Sequence, residues 1–258
     1  MPGMADNRPA REDASAPAPL RVLVTGGLGY AGSYISARLA RAGHELSILS
    51  RGREKPDFGS PYALITANLQ GCSPQSLADL LPEGLDAVVH AAGVNEDVAD
   101  DYARKALLVN AFGTRTLLEA LRLKSGRDGS GALPLVIYVS TVHVYGRASG
   151  AIDENSPAAP RNDYALTHYF AEEYCRMAAR QCGFPAIVLR LSNGYGAPRG
   201  PASDTWRLLI NDLCQSAVRR GELEPRSDPS TPRDFIWLGD LARVVQALLG
   251  RKDLAGRV

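Results

Sequence analysis

Net charge is almost absent from this chain of 258 residues: 29 lysines and arginines face 28 aspartates and glutamates. The basic residues, mostly arginine, are scattered among acids and form no stripe, so the charge pattern gives no reason to expect nucleic acid as a partner. Cysteine is scarce as well. Cys72, Cys175, Cys182 and Cys214 are far apart and include no CxxC pair, which argues against a zinc ribbon or dithiol centre. Their apolar surroundings predict buried free thiols in a reducing, cytoplasmic setting. No unbroken apolar run reaches the roughly 18 residues that a membrane helix needs, so no membrane partner is expected. Residues 1–19 mix Pro, Ala and charge without an apolar core, and read as a disordered tail rather than a signal peptide. No internal repeat is visible, and the one further low-complexity stretch, SGRDGSGA at 125–132, is expected as a surface connection.

What the chain has is alternation. With 45% hydrophobic residues it can bury a sizeable core. Short β-branched runs at 21–25, 45–50, 62–66, 86–92, 133–140, 185–192 and 234–238 are separated by helical patterns, notably at 29–43, 98–123, 164–182 and 203–221. Such alternation implies right-handed βαβ crossovers and a doubly wound α/β fold of Rossmann type, with a mostly parallel sheet buried on both faces. We expect a dinucleotide-binding domain over 20–192 and a substrate-binding region over 193–258, partly interleaved with it. In such sheets ligands sit beyond the carboxyl ends of the strands.

The first strand runs into TGGLGYAG, which places Gly26, Gly29 and Gly32 three residues apart between a strand and a helix. Glycine permits positive φ at the turn, and the missing Cβ lets backbone amides approach a pyrophosphate whose charge the helix N-terminus favours. A dinucleotide site follows, with Tyr30 and Ala31 in the same loop. The second strand ends in Ser50 and Arg51, where a ribose 2′-hydroxyl would normally meet Asp or Glu. Guanidinium and hydroxyl would bind a 2′-phosphate, so NADP(H) is favoured and NAD(H) remains open.

The segments TGGLGYAG, DAVVHAAG, VNAFGT, YVSTVHVYG, YALTH, LRLSNGYG and RDFIWLGD together resemble the extended short-chain dehydrogenase/reductases of the NAD-dependent epimerase/dehydratase family, over residues 21–240. The resemblance implies a nucleotide-activated sugar as substrate, with oxidation or reduction of a sugar hydroxyl or ketone. Thr141 matches the active-site Ser/Thr and Tyr164 the catalytic tyrosine. Asn68 and Leu69 match a position near adenine, where the family usually has Asp and Leu. Ala91, Ala92, Asn110 and Ser140 fall in cofactor-binding segments, while Asn193 and Arg233 match positions that hold substrate nucleotide or phosphate. Family members usually continue into a small substrate lobe beyond RDFIWLGD. Either the lobe is reduced or the chain is incomplete; the substrate pocket is then expected to rest on 193–233 with Trp206, Arg207 and Arg233, and a homodimer is expected through the helices over 98–123 and 164–182.

The chemistry is also arguable without the family. Hydride delivery to a ketone builds negative charge on its oxygen, which needs a proton donor and a second hydrogen bond. Tyr164 and Thr141 supply them. A phenol with its usual pKa of about 10 works as a base near neutrality only beside positive charge. The family provides that charge with a lysine four residues after the tyrosine, which also binds the nicotinamide ribose. Here that position is His168, shorter and mostly neutral. Two readings stay open: His168 replaces the lysine as ribose ligand and relay member, or catalysis is impaired and the protein is a weak dinucleotide-binding or scaffold protein. His143 should line the same cavity and contact substrate, and His90 should pack beside the cofactor. The three histidines lie on separate elements, so no metal is expected. Val142 and His143 follow Thr141 where the family's dehydratases carry an acidic pair, which leaves ketone reduction or epimerisation.

Overall fold

A computed structural model of the chain describes residues 18–52, 56–94, 102–127, 129, 131–146, 150–199, 205–223, 225, 228 and 230–257. Six strands, β1 (Arg21–Thr25), β2 (Glu45–Ser50), β3 (Ala63–Thr66), β4 (Ala87–His90), β5 (Leu135–Thr141) and β6 (Ala186–Leu191), form one sheet in the order β3-β2-β1-β4-β5-β6. Every pairing in it is parallel. Parallel neighbours cannot be joined by tight turns, so each connection crosses over a face of the sheet, and the order reverses at β1. That switch point opens a crevice beyond the strand ends.

The sheet is apolar on both sides because both are covered. On one side Val22, Val24, Ile48, Val89 and Ile137 pack against α1 (Tyr30–Arg41) and α7 (Leu238–Leu248), which contributes Leu238, Leu241 and Val245. On the other, Leu23, Val88, Val136 and Tyr138 pack under α2 (Pro74–Leu80), α4 (Gly113–Arg127) and α5 (Asp163–Cys182). Short α3 (Tyr102–Ala106) enters α4 through a π-helical turn over Leu107–Phe112. Beyond β6 the chain forms β7 (Asn193–Tyr195) and α6 (Leu209–Arg220), then returns as β8 (Phe235–Trp237) to pair in parallel with β7. This small lobe is fastened to α1 by tyrosines: the Tyr30 hydroxyl donates to Gly196 O at 2.8 Å and accepts from Asn211 Nδ2 at 2.7 Å, and the Tyr34 hydroxyl donates to Ala197 O at 2.8 Å. The last described residues run along β6, where Gly256 N–H donates to Ala186 O at 2.7 Å.

Several expectations need correction. The sequence reading left out α2, α7 and β7. The connection expected at 125–132 is helical up to Arg127, with Ser125 buried. Of the thiols predicted to be buried, only Cys175 is; Cys72 is half-buried, and Cys182 and Cys214 are exposed. The tail expected at 1–19 and the helix start expected at 98–101 fall almost wholly outside the described residues.

Candidate active site

The crevice at the switch point has a volume of about 1900 Å³. Gly26 (φ +67°) opens its floor; a Cβ there would lie 2.7 Å from Ala91 O and from the Ala92 backbone. A Cβ on Gly32 would collide with the carbonyl of Gly26. Helix α1 starts at Gly29 with no side-chain cap, so its first amides stay directed at the crevice. This is a cradle built from backbone with the side chains pared away, and it fits the pyrophosphate of a dinucleotide.

Ser50 and Arg51 line the crevice at the end of β2, and Asn68 and Leu69 line it beyond β3. The Ser50 hydroxyl accepts from Gly52 N–H at 3.2 Å and keeps its own proton for a ligand. Ala31, Ala91, Ala92, Ser140, His143, Asn193, Arg207 and Arg233 also line it, whereas Trp206 does not. The ring of Tyr30 is in the wall, but its hydroxyl belongs to the small lobe, as described above.

At the other end β5 delivers Thr141, whose Oγ1 accepts the His143 N–H at 3.2 Å and starts a 3-10 turn over Val142–Tyr145. Asn162 caps α5 by accepting from Ala165 N–H at 2.9 Å, which places Tyr164 in the first turn at the crevice. The ring of Tyr164 meets His168 edge-on at 4.7 Å and His143 edge-on at 5.8 Å. Tyr164, Thr141, His143 and His168 thus line one compartment together with the glycine turn.

His168 is buried, and burial pulls its pKa down to about 4, so the ring is neutral at pH 7. Its Nδ1 lies 2.7 Å from the hydroxyl of buried Tyr138, a phenol whose pKa burial pushes well up. The Tyr138 hydroxyl has one proton and, among the described residues, this one partner. With the phenol as donor to Nδ1, the His168 proton sits on Nε2, which lies near Gly93 at the crevice wall. His168 is held by Tyr138 and brings no cation to the crevice at pH 7.

Of three residues placed against the cofactor by the sequence reading, Asn110 and His90 stand outside the crevice lining, whereas Ser140 lines it with its hydroxyl proton committed to Glu172. Asn110 does not line the crevice; its Oδ1 accepts from Val94 N–H at 2.9 Å and its Nδ2 donates to Thr167 Oγ1 at 3.1 Å, tying the loop after β4 to α5. Ser140 commits its hydroxyl proton to Glu172 Oε1 at 2.6 Å. His90 is fully buried between Thr25 Oγ1 at 2.6 Å and Thr114 Oγ1 at 2.8 Å, and burial lowers its pKa to about 3. Sequence reasoning missed Tyr138 and Glu172. Glu172 sits one turn beyond His168, fully buried, and accepts from Arg190 Nη2 at 2.7 Å and Arg176 Nη2 at 3.0 Å. Among the described residues no group of three His, Cys, Asp or Glu is placed to hold a metal, and no helix is long and apolar enough to cross a membrane.

Comparison with known proteins places the chain in a class. The family model of the NAD dependent epimerase/dehydratase family matches residues 22–257, and the chain belongs to that family. It is 34% identical to a GDP-6-deoxy-D-mannose reductase of Pseudomonas aeruginosa, over 92% of this chain and 73% of that protein. It is 27% identical to an uncharacterised UDP-glucose epimerase of Bacillus subtilis, over 92% of this chain and 75% of that one. Among solved structures, MoeE5 in complex with UDP-glucose and NAD superposes with a TM-score of 0.74 at 26% identity, over 92% of this chain and 74% of the other.

Proposed function

We propose that the protein is an NAD(P)-dependent oxidoreductase acting on a nucleotide-activated sugar, reducing a sugar ketone or epimerising a sugar carbon by hydride transfer. The observation that carries this is the placement of Tyr164 and Thr141 on one wall of a crevice whose other end is the glycine cradle. A bound nicotinamide supplies or accepts the hydride. Tyr164 gives its proton to the developing alkoxide in reduction or takes it from the hydroxyl in oxidation, and Thr141 holds the same oxygen with a second hydrogen bond. The Nε2–H of His168 takes over the ribose contact. Ser50 and Arg51 favour NADP(H), with NAD(H) possible. Arg233 and Asn193 are the groups for the substrate's diphosphate and nucleotide, and His143 faces the sugar. Exposed Leu107, Phe112, Leu166 and Phe170, from the π-helical turn and α5, fit a homodimer interface.

A second reading, a catalytically weak dinucleotide-binding or scaffold protein, is favoured by one observation: His168 is neutral and tethered, so α5 brings no cation to Tyr164. One experiment separates the two. The protein is titrated with NADPH and with NADH by nicotinamide fluorescence, then challenged with UDP-, GDP- and dTDP-linked 4-keto sugars. Substrate-dependent oxidation that disappears in Tyr164→Phe supports the enzyme; tight binding with no oxidation on any sugar supports the scaffold.

A further inference from the structure

The neighbourhood of Tyr164 is short of positive charge on its own helix, yet the crevice is not. Four described lysines and arginines line it: Arg51, Lys105, Arg207 and Arg233. Arg51 stands at the end of β2, toward the adenosine end of the cradle. Arg207 and Arg233 precede α6 and β8 and belong to the small lobe. Lys105 differs, because its helix packs on α5. Tyr102 and Ala106 of α3, with Val94 and Val109, form a small apolar cluster against which Tyr164 packs. Val109 follows Lys105 by four residues, close to one turn, and both line the crevice. Lys105 therefore shares a crevice-lining face with Val109, in the segment that packs against Tyr164. Lys105 is half-buried and lines the crevice, the setting in which a lysine lays its stem along protein and keeps its ammonium in water.

We propose that Lys105 supplies the cation absent from α5, acting from α3 on the phenol of Tyr164 so that the phenolate becomes accessible near neutrality. This rests on the oxidoreductase reading. In the oxidative direction the O–H bond of the sugar breaks and its proton passes to the Tyr164 oxygen, while the C–H bond breaks, its hydride goes to the nicotinamide and the C=O bond forms. Among the described residues, the charged and titratable groups on the elements packed around Tyr164 include His168 and Asp163 on α5, His143 on the 3-10 turn, Tyr138 on β5, and Tyr102, Arg104 and Lys105 on α3. Asp163 and Arg104 are exposed, the buried Tyr138 stays protonated, and of these groups Lys105 is the cation that also lines the crevice.

The test needs no turnover. The phenolate absorbance of Tyr164 is titrated in the wild type and in Lys105→Met, Lys105→Gln and Lys105→Arg, each as a difference against its own Tyr164→Phe background. We expect the midpoint to rise by about one pH unit or more in Met and Gln, since an opposite charge nearby lowers such a value by roughly one to three units, and to return toward the wild type in Arg. The pH profile of sugar oxidation should move in parallel, costing about tenfold near neutrality. Unchanged midpoints in Met and Gln overturn the assignment, and do so also if KM for the nucleotide sugar rises alone, for Lys105 would then be a phosphate ligand. If the midpoints move but no nucleotide sugar reacts with the wild type, the assignment stands and the proposed reaction fails.

Discussion

On the proposed function, His168 keeps the geometric role of a ribose contact without an electrostatic one, because burial leaves its ring neutral at pH 7. Its ring is oriented by Tyr138 and offers Nε2–H to the crevice, so Tyr138→Phe should loosen the ring and free its tautomer while leaving the apolar packing intact. A net hydrogen bond is worth about 1 kcal/mol; cofactor affinity should therefore fall about three- to tenfold by fluorescence titration, with the secondary structure unchanged by circular dichroism. The same burial has a cost in acid. His168 and His90 have folded-state pKa values lowered to about 4 and about 3 from a usual 6.5. The unfolded chain gains protons as pH falls below about 6.5, and the folded one does not until much lower, so the stabilising contribution present above 6.5 is lost as pH falls toward 4. Melting temperature should drop steeply between pH 6.5 and 4.5, and His168→Gln should flatten part of that slope.

Among the elements, β5, β6 and α5 are joined by one buried carboxylate. Glu172 on α5 takes the guanidinium of Arg190 on β6 and the hydroxyl of Ser140 on β5, beside the strand end that carries Thr141. Replacing it with Gln leaves Arg190 buried without its counter-charge, and urea unfolding should show a loss of about 3–5 kcal/mol. None of this could be read from LRLSNGYG or YALTHYFAEE, because the pairing of positions 172 and 190 depends on how α5 lies on the sheet. The central strands were legible: β1 and β2 lie at the boundaries their β-branched runs suggested, since strands buried on both faces must be apolar throughout. β7 was not, because three residues pair with β8 some forty positions later, and local pattern says nothing of such a partner. α2 is short and starts at a Ser73 cap followed by Pro74, signals present in CSPQSL but outweighed by its seven-residue length. The π-helical turn that sets Asn110 between Val94 and Thr167 has no sequence signature at all. The candidate site was more legible than its supports: residues at strand ends follow from topology, whereas the hydrogen-bond partners of Asn110, Ser140 and His90 are supplied only by the packed structure.

At the scale of the molecule, the crevice joins the glycine cradle, the β2 end and the small lobe fastened through Tyr30 and Tyr34. Ligand preference should therefore be set at separable places. Arg51→Glu removes the guanidinium and adds a charge that repels a 2′-phosphate, so the ratio of NADPH to NADH affinity should fall at least tenfold while NADH binding persists. If the exposed Phe112 and Phe170 face a second copy, Phe170→Glu should shift the sedimentation mass from dimer to monomer. The central claim, that Tyr164 and Thr141 act on a sugar oxygen beside a nicotinamide, is tested most directly by single-turnover hydride transfer between enzyme-bound cofactor and a nucleotide sugar, in wild type and in Tyr164→Phe. The account predicts transfer in the wild type and a rate at least about a hundredfold lower in the variant, at undiminished cofactor affinity. Transfer at equal rates in both proteins would contradict it.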